Sequence, residues 1–360
     1  MTNDSKITEE AVLDALRTVE DPDLHKDIVT LNFVKDLKIE GDRVSFTIEL
    51  TTPACPVKED MKQWARDAVL KVSGVREVQI NMTAAVSKGT AVEGTQSIPG
   101  VKNIIAVGSG KGGVGKTTIT VNLAVALART GASVGLMDAD IYGPNVPLMM
   151  GIAGRPHAIG DRIQPMSNYG IRVMSMGLLM EDDVPLIWRG PMLHSVIQQF
   201  IKQVDWGDLD YLLIDLPPGT GDVQLSITQT VPLTGAIIVS TPQNVALQDA
   251  RKAVMMFRQV RVDVLGIVEN MSYFQCPKCE ERTYIFSHGG GEKTAAAYEV
   301  PLLGEVPLNV SLREGGDAGK PVAATDPDSP AAQAFTAIAE KVASQVSIAN
   351  LRKQDSMIIE

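Results

Sequence analysis

The chain has 360 residues, of which 44% are hydrophobic, 21% charged and 4% aromatic, and its formal net charge is −10. This length allows two domains, and the acidic balance argues against a protein that binds nucleic-acid phosphates. The three cysteines are too few for a disulfide framework and suit a reducing compartment. The N-terminus is polar, and no apolar run reaches the roughly 20 residues that a membrane-spanning helix needs. We therefore predict a cytoplasmic protein with neither a nucleic-acid nor a membrane partner.

The first predicted domain is a small α/β unit over residues 6–83. Thr8 is a helix N-cap residue, and Glu9 and Glu10 follow it in the first turn. Hydrophobic periodicity then predicts two strands, a helix and a further strand: Phe33–Ile39, Val44–Leu50, Val57–Lys71 and Val75–Met82. Residues 84–102 are rich in Gly, Ser, Thr and Ala and predict a flexible linker.

The second predicted domain, residues 103–348, alternates apolar β-branched runs with helical segments. Such runs are typical of a parallel sheet covered by helices on both faces, so we predict a doubly wound α/β fold. A last helix begins near Pro330, and residues 349–360 form a polar, frayed tail. The predicted strands are Ile104–Val107, Val134–Met137, Ile171–Met176, Tyr211–Ile214, Ala236–Val239, Leu265–Val268 and Leu302–Val306.

A phosphate-binding loop lies between the first of these strands and a helix that ends near Gly131. Residues 110–117 fit the pattern G-x-x-x-x-G-K-[ST], which indicates a P-loop nucleotide site. We expect Lys116 to reach the β- and γ-phosphates and the Thr117 hydroxyl to bind Mg²⁺. The predicted nucleotide contacts are Gly110, Lys111, Gly112, Gly113, Val114, Gly115, Lys116, Thr117 and Thr118.

Carboxylates follow two further predicted strands. Asp215 ends an apolar strand, as in a Walker-B motif, and is the predicted Mg²⁺ ligand of that motif. Asp138 and Asp140 lie two residues apart at the end of another strand. Since buried carboxylates need partners, we expect one of this pair to face Mg²⁺ or the attacking water.

Several motifs together resemble a known family. Lys111, at the second position of the loop, resembles the deviant Walker-A lysine of the MinD/ParA/nitrogenase-iron-protein class. In that class this lysine contacts phosphate across a dimer interface. From about Asn103 to its end, the chain is similar to the Mrp/ApbC family of iron–sulfur cluster carrier ATPases. The motifs that carry this similarity are residues 138–145, 215–222, 269–272, 276–279 and 313–317.

The resemblance implies a P-loop ATPase that forms a homodimer, hydrolyses ATP slowly with Mg²⁺ and transfers a [4Fe–4S] cluster from scaffold proteins to apoproteins. By the same resemblance, Lys111, Lys116 and Asp140 are catalytic, with Asp140 orienting the attacking water, and Asn270 contacts adenine. The front unit resembles a small iron–sulfur assembly domain through residues 20–23 and 51–56.

Cys276 and Cys279 form a C-x-x-C pair, which can share one metal centre. One chain offers no second pair and no downstream histidine at the spacing of a zinc finger, whereas two copies about a two-fold axis supply four sulfurs. An iron–sulfur cluster, a zinc ion shared by the dimer, a redox dithiol and an unliganded pair all remain open from the residues. Cys55, close to the start of a predicted helix, is either a reactive thiol that aids cluster handoff or a small buried hydrophobe.

Two other classes of function compete with a cluster carrier. A ParA/MinD-like positioning ATPase would assemble on DNA or membrane, but the net charge opposes DNA and residues 348–360 form no convincing basic amphipathic helix. The cysteine pair would have no purpose in such a protein. A metabolic P-loop kinase or synthetase would require a further substrate signature, and the sequence shows none.

Overall fold

The computed structural model describes residues 7–89, 97–141, 143–179, 190–276, 278–279 and 281–359. The chain divides into two compact units, with the division between Ser87 and Lys88. Residues 90–96, in the middle of the predicted linker, lie outside the described residues. None of the helices described is long and apolar enough to cross a membrane.

The first unit packs two helices on a small sheet. Thr8 caps the first helix as predicted, since its Oγ1 accepts the Ala11 N–H at 3.2 Å. The third strand pairs antiparallel with the fourth, which pairs parallel with the fifth. The elements are α1 (Glu9–Leu16), β1 (Glu20–Asp21), β2 (Lys26–Asp27), β3 (Val34–Glu40), β4 (Arg43–Leu50), α2 (Lys58–Val69) and β5 (Glu77–Ala84).

The second unit begins with alternating strands and helices, as its apolar runs predict. A short 3₁₀ turn, Met176–Leu178, follows the last strand of this first half. Its elements are β6 (Val101–Gly108), α3 (Lys116–Arg129), β7 (Val134–Asp138), α4 (Val146–Met149), β8 (Ala158–Ile159), β9 (Arg162–Ile163), β10 (Met166–Asn168), β11 (Ile171–Ser175) and α5 (Gly190–Gln203).

The same alternation continues to the end of the chain. These later elements are β12 (Leu209–Asp215), α6 (Asp222–Thr230), β13 (Gly235–Ser240), α7 (Asn244–Gln259), β14 (Val264–Gln275), β15 (Arg282–Thr283), α8 (Gly290–Ala297), β16 (Leu302–Leu308), α9 (Val310–Asp317), α10 (Val322–Thr325) and α11 (Pro330–Ile359).

One sheet organises the second unit, in the order β10-β11-β7-β12-β6-β13-β14-β15, with β16 paired to β14. Its pairings are parallel except for β10 with β11 and β14 with β15. The predicted doubly wound, mainly parallel α/β fold is confirmed. In such sheets ligands bind at the carboxyl ends of the strands. In this unit we therefore expect the ligand at the edge formed by the carboxyl ends of β6, β7 and β12.

Two parts of the second unit differ from the sequence prediction. Helix α11 continues to Ile359, whereas we expected a frayed tail over residues 349–360. The helix is tied down there because Asn350 is buried and its Nδ2 donates to Asn103 Oδ1 at 2.9 Å. Strand β14 continues to Gln275 beyond the predicted Leu265–Val268, so Cys276 follows the strand directly.

Candidate functional site

The phosphate loop connects the buried strand β6 to helix α3. Gly113 and Gly115 have φ of 78° and 81°, the left-handed region that glycine adopts without steric cost. A Cβ on Gly115 would lie 2.2 Å from Asn270 Nδ2, so the loop and that side chain approach closely only with glycine at this position. The loop therefore presents its N–H groups and the N-terminus of α3, the arrangement that binds phosphate.

The predicted nucleotide residues are brought together around a cavity of about 560 Å³. Residues 111–118, Asp140 and Asn270 all line it, whereas Gly110 does not. Gly110 packs instead against α7, where a Cβ would lie 2.1 Å from the carbonyl oxygen of Asp249. Glycine is therefore required at position 110 because the backbone packs closely against α7 beside the cavity.

Lys116, which lines this cavity, forms a buried ion pair with Asp215. Lys116 Nζ lies 2.8 Å from Asp215 Oδ2 and 3.8 Å from Asp140 Oδ2. The Thr117 hydroxyl donates to Asp215 Oδ2 at 2.7 Å, and the Thr120 hydroxyl donates to Oδ1 at 2.8 Å. Adjacent hydroxyl and carboxylate oxygens are the ligands that Mg²⁺ prefers, so Thr117 and Asp215 fit a magnesium site.

Asp138 anchors the chain segment that carries Asp140. Its Oδ1 accepts the Asp140 N–H at 3.1 Å, and its Oδ2 accepts the Ser175 hydroxyl at 2.9 Å. Burial raises the pKa of Asp138 to about 8; the charge of Asp215 adds to the shift and the hydrogen bond from Ser175 opposes it. Burial also raises the pKa of Asp140, against the nearby positive charge of Lys116.

A pH dependence of stability follows from Asp138. The unfolded chain titrates this carboxyl near 3.8 and the folded chain near 8, so between these values the folded state binds more protons. The free energy of unfolding therefore falls as pH rises through this window, and we expect a smaller fall in Asp138→Asn, which has no proton to lose there.

Urea unfolding at about pH 5.5 and about pH 8, without nucleotide or Mg²⁺, measures this difference between the two proteins. Tryptophan fluorescence follows the transition, since Trp206 is buried in the second unit. An equal fall in the two proteins would contradict the assignment of the titrating group to Asp138.

Asn270 closes the cavity from strand β14. Its Nδ2 donates to the carbonyl oxygen of Val114 at 2.8 Å, which fixes the orientation of the amide. Its Oδ1 is buried and has no hydrogen-bond partner among the residues that the structure describes. A buried acceptor without a partner is costly, and a ligand that brings an N–H donor would satisfy it.

Further residues of the site escaped the sequence analysis. Thr120 and Ser175 bond to the buried carboxylates. Thr120 follows the phosphate-loop motif closely, whereas Ser175 lies in a predicted strand far from any motif. Part of the cavity lining comes from β16, α9 and the residue between them. The motif at residues 313–317 belongs to this part of the lining, and the family resemblance gave it no role. The residues in this part of the lining include Pro307, Leu308, Asn309, Leu312, Arg313, Gly316 and Asp317.

The cysteine pair lies on the hairpin that joins β14 to β15. Cys276 is half-buried and Cys279 exposed, and the Cys276 N–H donates to the Glu281 carbonyl at 3.0 Å. The N–H groups of Lys278 and Cys279, and then the Cys279 thiol, hydrogen-bond to Cys276 and lower its pKa. These bonds favour the thiolate, the form that binds metals. Pro277 and Glu280 lie outside the described residues.

The described part of the chain contains no group of three or more His, Cys, Asp or Glu side chains arranged to hold a metal ion. Cys276 and Cys279 supply two thiols, short of the four thiolates of a closed site. Cys55 belongs to the first unit, where it is half-buried and packs against the hydrophobic core.

Comparisons with known proteins identify the family of this chain. The family described as NUBPL iron-transfer P-loop NTPase, of the ParA type, matches residues 100–343. The chain belongs to this family. The family of iron–sulfur cluster assembly proteins matches residues 9–81. The predicted resemblance to iron–sulfur cluster carriers is confirmed, and so is that of the front unit to an iron–sulfur assembly domain.

Among relatives of this P-loop NTPase, the iron–sulfur cluster carrier protein of Synechocystis sp. is 53% identical over 351 residues, covering 96% of this chain and 99% of the relative. A nucleotide-binding protein from Archaeoglobus fulgidus, solved with ADP, has a TM-score of 0.56 at 42% identity, covering 62% of this chain and 88% of that one. The cell division ATPase MinD of Pyrococcus furiosus has a TM-score of 0.50 at 26% identity, covering 67% and 98%.

Proposed function

We propose that this P-loop NTPase is an ATP-hydrolysing carrier that holds a [4Fe–4S] cluster as cargo and passes it to apoproteins. The observation that carries the proposal is that strand β14 connects the nucleotide cavity to the cysteine pair. Asn270, within the strand, lines the nucleotide cavity, and Cys276 follows the end of the same strand. The names of the relatives agree with a carrier, and the bound ADP of the Archaeoglobus fulgidus protein agrees with an adenine nucleotide.

In this proposal the cavity takes ATP with Mg²⁺. Lys116 leaves Asp215 for the phosphates, and Thr117 with Asp215 holds the metal ion, which shields the phosphate charge when bound. Asp140, 3.8 Å from Lys116, orients the attacking water. The partnerless Asn270 Oδ1 accepts the exocyclic amine of adenine; guanine presents a carbonyl oxygen at that position and would leave it unsatisfied.

The cargo requires two copies of the chain. Each copy offers Cys276 and Cys279, so a homodimer supplies four thiolates about its two-fold axis. Lys111 lines the cavity and is the residue proposed to reach the nucleotide of the other copy. Two ligands per chain on an exposed hairpin suit release to an apo client after loading from a scaffold protein, in the reducing cytoplasm that we propose as its location.

The test is a transfer assay with the full chain reconstituted with iron and sulfide. We expect iron and labile sulfide in equal amounts per dimer, and visible absorbance that decays when an apo acceptor is added.

Asp140→Asn is expected to bind ATP but hydrolyse it about 100-fold or more slowly, because the water loses its orienting group. Comparing loading and transfer in this variant shows which step uses hydrolysis.

Other outcomes would favour other functions. If the bound metal is zinc and labile sulfide is absent, the result would support a zinc-bridged dimer in place of a cluster carrier. Salt-dependent sedimentation of the chain with DNA or liposomes would instead support a positioning ATPase similar to MinD.

A further inference from the structure

Strand β14 contains a bulge between the nucleotide cavity and the cysteine hairpin. Asn270 pairs with Val306 of β16, and the next pair is Phe274 with Leu308, so β14 has two residues more than its partner over this interval. Met271 has φ of 55°, a left-handed conformation that is unfavourable for a residue with a Cβ. A bulge of this kind bends a strand and ends its regular pairing.

The first side of the bulge contacts the phosphate loop. Asn270 and Met271 both line the nucleotide cavity. Asn270 is bonded to the Val114 carbonyl, and the Met271 Cε lies 3.8 Å from the position that a Cβ on Gly115 would occupy. A shift of the phosphate loop on binding nucleotide would therefore act directly on the bulge.

The second side of the bulge continues into the cysteine hairpin. Phe274 pairs with Thr283 and Gln275 with Arg282, and the Cys276 N–H is bonded to the Glu281 carbonyl. The hairpin is therefore a hydrogen-bonded extension of β14. Any change in the direction of the strand after Met271 changes the position of Cys276.

A buried carboxylate holds the bulge from behind. Glu269 is 1% exposed, and its Oε1 accepts the Ser272 hydroxyl at 2.6 Å. Its Oε2 accepts the Gly291 N–H at the start of α8. Hydrogen bonds thus hold Glu269, Asn270 and Ser272, the residues on either side of Met271.

From these contacts we infer that the Met271 bulge is the joint through which nucleotide in the cavity repositions the cysteine hairpin. The inference rests on the proposed function only in taking the cavity as a nucleotide site and the cysteine pair as the cargo site. An unfavourable backbone conformation persists when its surroundings hold it, and a ligand that changes those surroundings shifts the balance between two arrangements.

The experiment measures alkylation rates of Cys276 and Cys279 in the cargo-free chain, by peptide mapping after timed exposure to a maleimide. Cys55 of the same chain is the internal reference. We expect saturating ATPγS with Mg²⁺ to change the rates at Cys276 and Cys279 by about fivefold or more, the usual lower range of coupling between sites.

Two variants separate the joint from simple contact with the ligand. Met271→Leu keeps a Cβ and a similar volume, and we expect it to retain the response. Glycine adopts the left-handed region without cost, so in Met271→Gly the two arrangements of the bulge no longer differ in backbone strain. We expect this variant to lose the effect of nucleotide on the alkylation rates. Nucleotide affinity is measured for each chain, and all rates are compared at saturation.

The inference would be overturned if nucleotide changed the alkylation rates in Met271→Gly as much as in the wild-type chain. It would also be overturned if bound nucleotide left the rates of the wild-type chain unchanged. Failure of the proposed function has a different signature. In that case reconstituted chains retain no iron and sulfide, while the thiols of the wild-type chain still respond to nucleotide and those of Met271→Gly do not.

Discussion

Replacing Gly115 with alanine is expected to lower nucleotide affinity by about 100-fold or more. The left-handed φ of 81° alone disfavours alanine by about 1–2 kcal/mol, roughly tenfold. The new Cβ would also lie 2.2 Å from Asn270 Nδ2, a side chain held by its bond to Val114. Either the loop or Asn270 must move, and both line the cavity.

Gly131 provides the matched control at the other end of α3. Its φ is 99°, and a Cβ there would meet no atom of the described residues within 4 Å. Gly131→Ala should therefore lower the free energy of unfolding by about 1 kcal/mol through backbone strain while leaving nucleotide affinity unchanged. Calorimetric titration with ATPγS and Mg²⁺, with thermal unfolding alongside, measures both effects. Normal affinity in Gly115→Ala would show that the close approach to Asn270 has no bearing on binding.

Replacing Cys276 or Cys279 with alanine is expected to reduce bound iron to below about a tenth of the wild-type amount, because each substitution removes two of the four thiolates in the proposed dimer. Both variants should fold, since the hairpin is exposed or half-buried at these positions. Iron, labile sulfide and visible absorbance after reconstitution provide the measurement. Full iron and absorbance in both variants would refute the assignment of the cargo site.

Cys55→Ala is the control for the cysteine substitutions. Cys55 lies in the first unit and packs against its core, so its removal should leave loading intact. Cluster handoff through Cys55 stays a hypothesis, and the rate of transfer from this variant to an apo acceptor tests it. Normal transfer would assign Cys55 to packing.

The functional motifs could be predicted because each is local in the sequence. The phosphate loop is a continuous segment between a strand and a helix, and the cysteine pair is defined by its own spacing. Asp138, Asp140 and Asp215 follow predicted strands, from which we expected Asp215, and one of the other two, to face Mg²⁺ or the attacking water. The structure brings the phosphate loop and these three carboxylates to one edge of the sheet.

The extent of β14 was harder to predict, because the sequence becomes polar after Val268. Glu269, Asn270 and Ser272 are nevertheless buried, since their side chains bond to one another or to distant backbone atoms. Polar residues satisfied in this way carry no hydrophobic periodicity, so the strand continues where the pattern stops. The same limit applies to the end of α11, which is held by the bond from Asn350 to Asn103.

By itself, the sequence determined the parallel α/β fold, the phosphate loop and the presence of two thiols per chain, because these depend on local spacing and on apolar runs. Only the tertiary structure decided that Asn270 meets Val114, 156 residues away, and that Ser175 meets Asp138, 37 residues away. Hydrogen bonds between distant residues leave no periodic trace in a single chain. For that reason the connection from the nucleotide cavity through Met271 to Cys276 became visible only once the chain was folded.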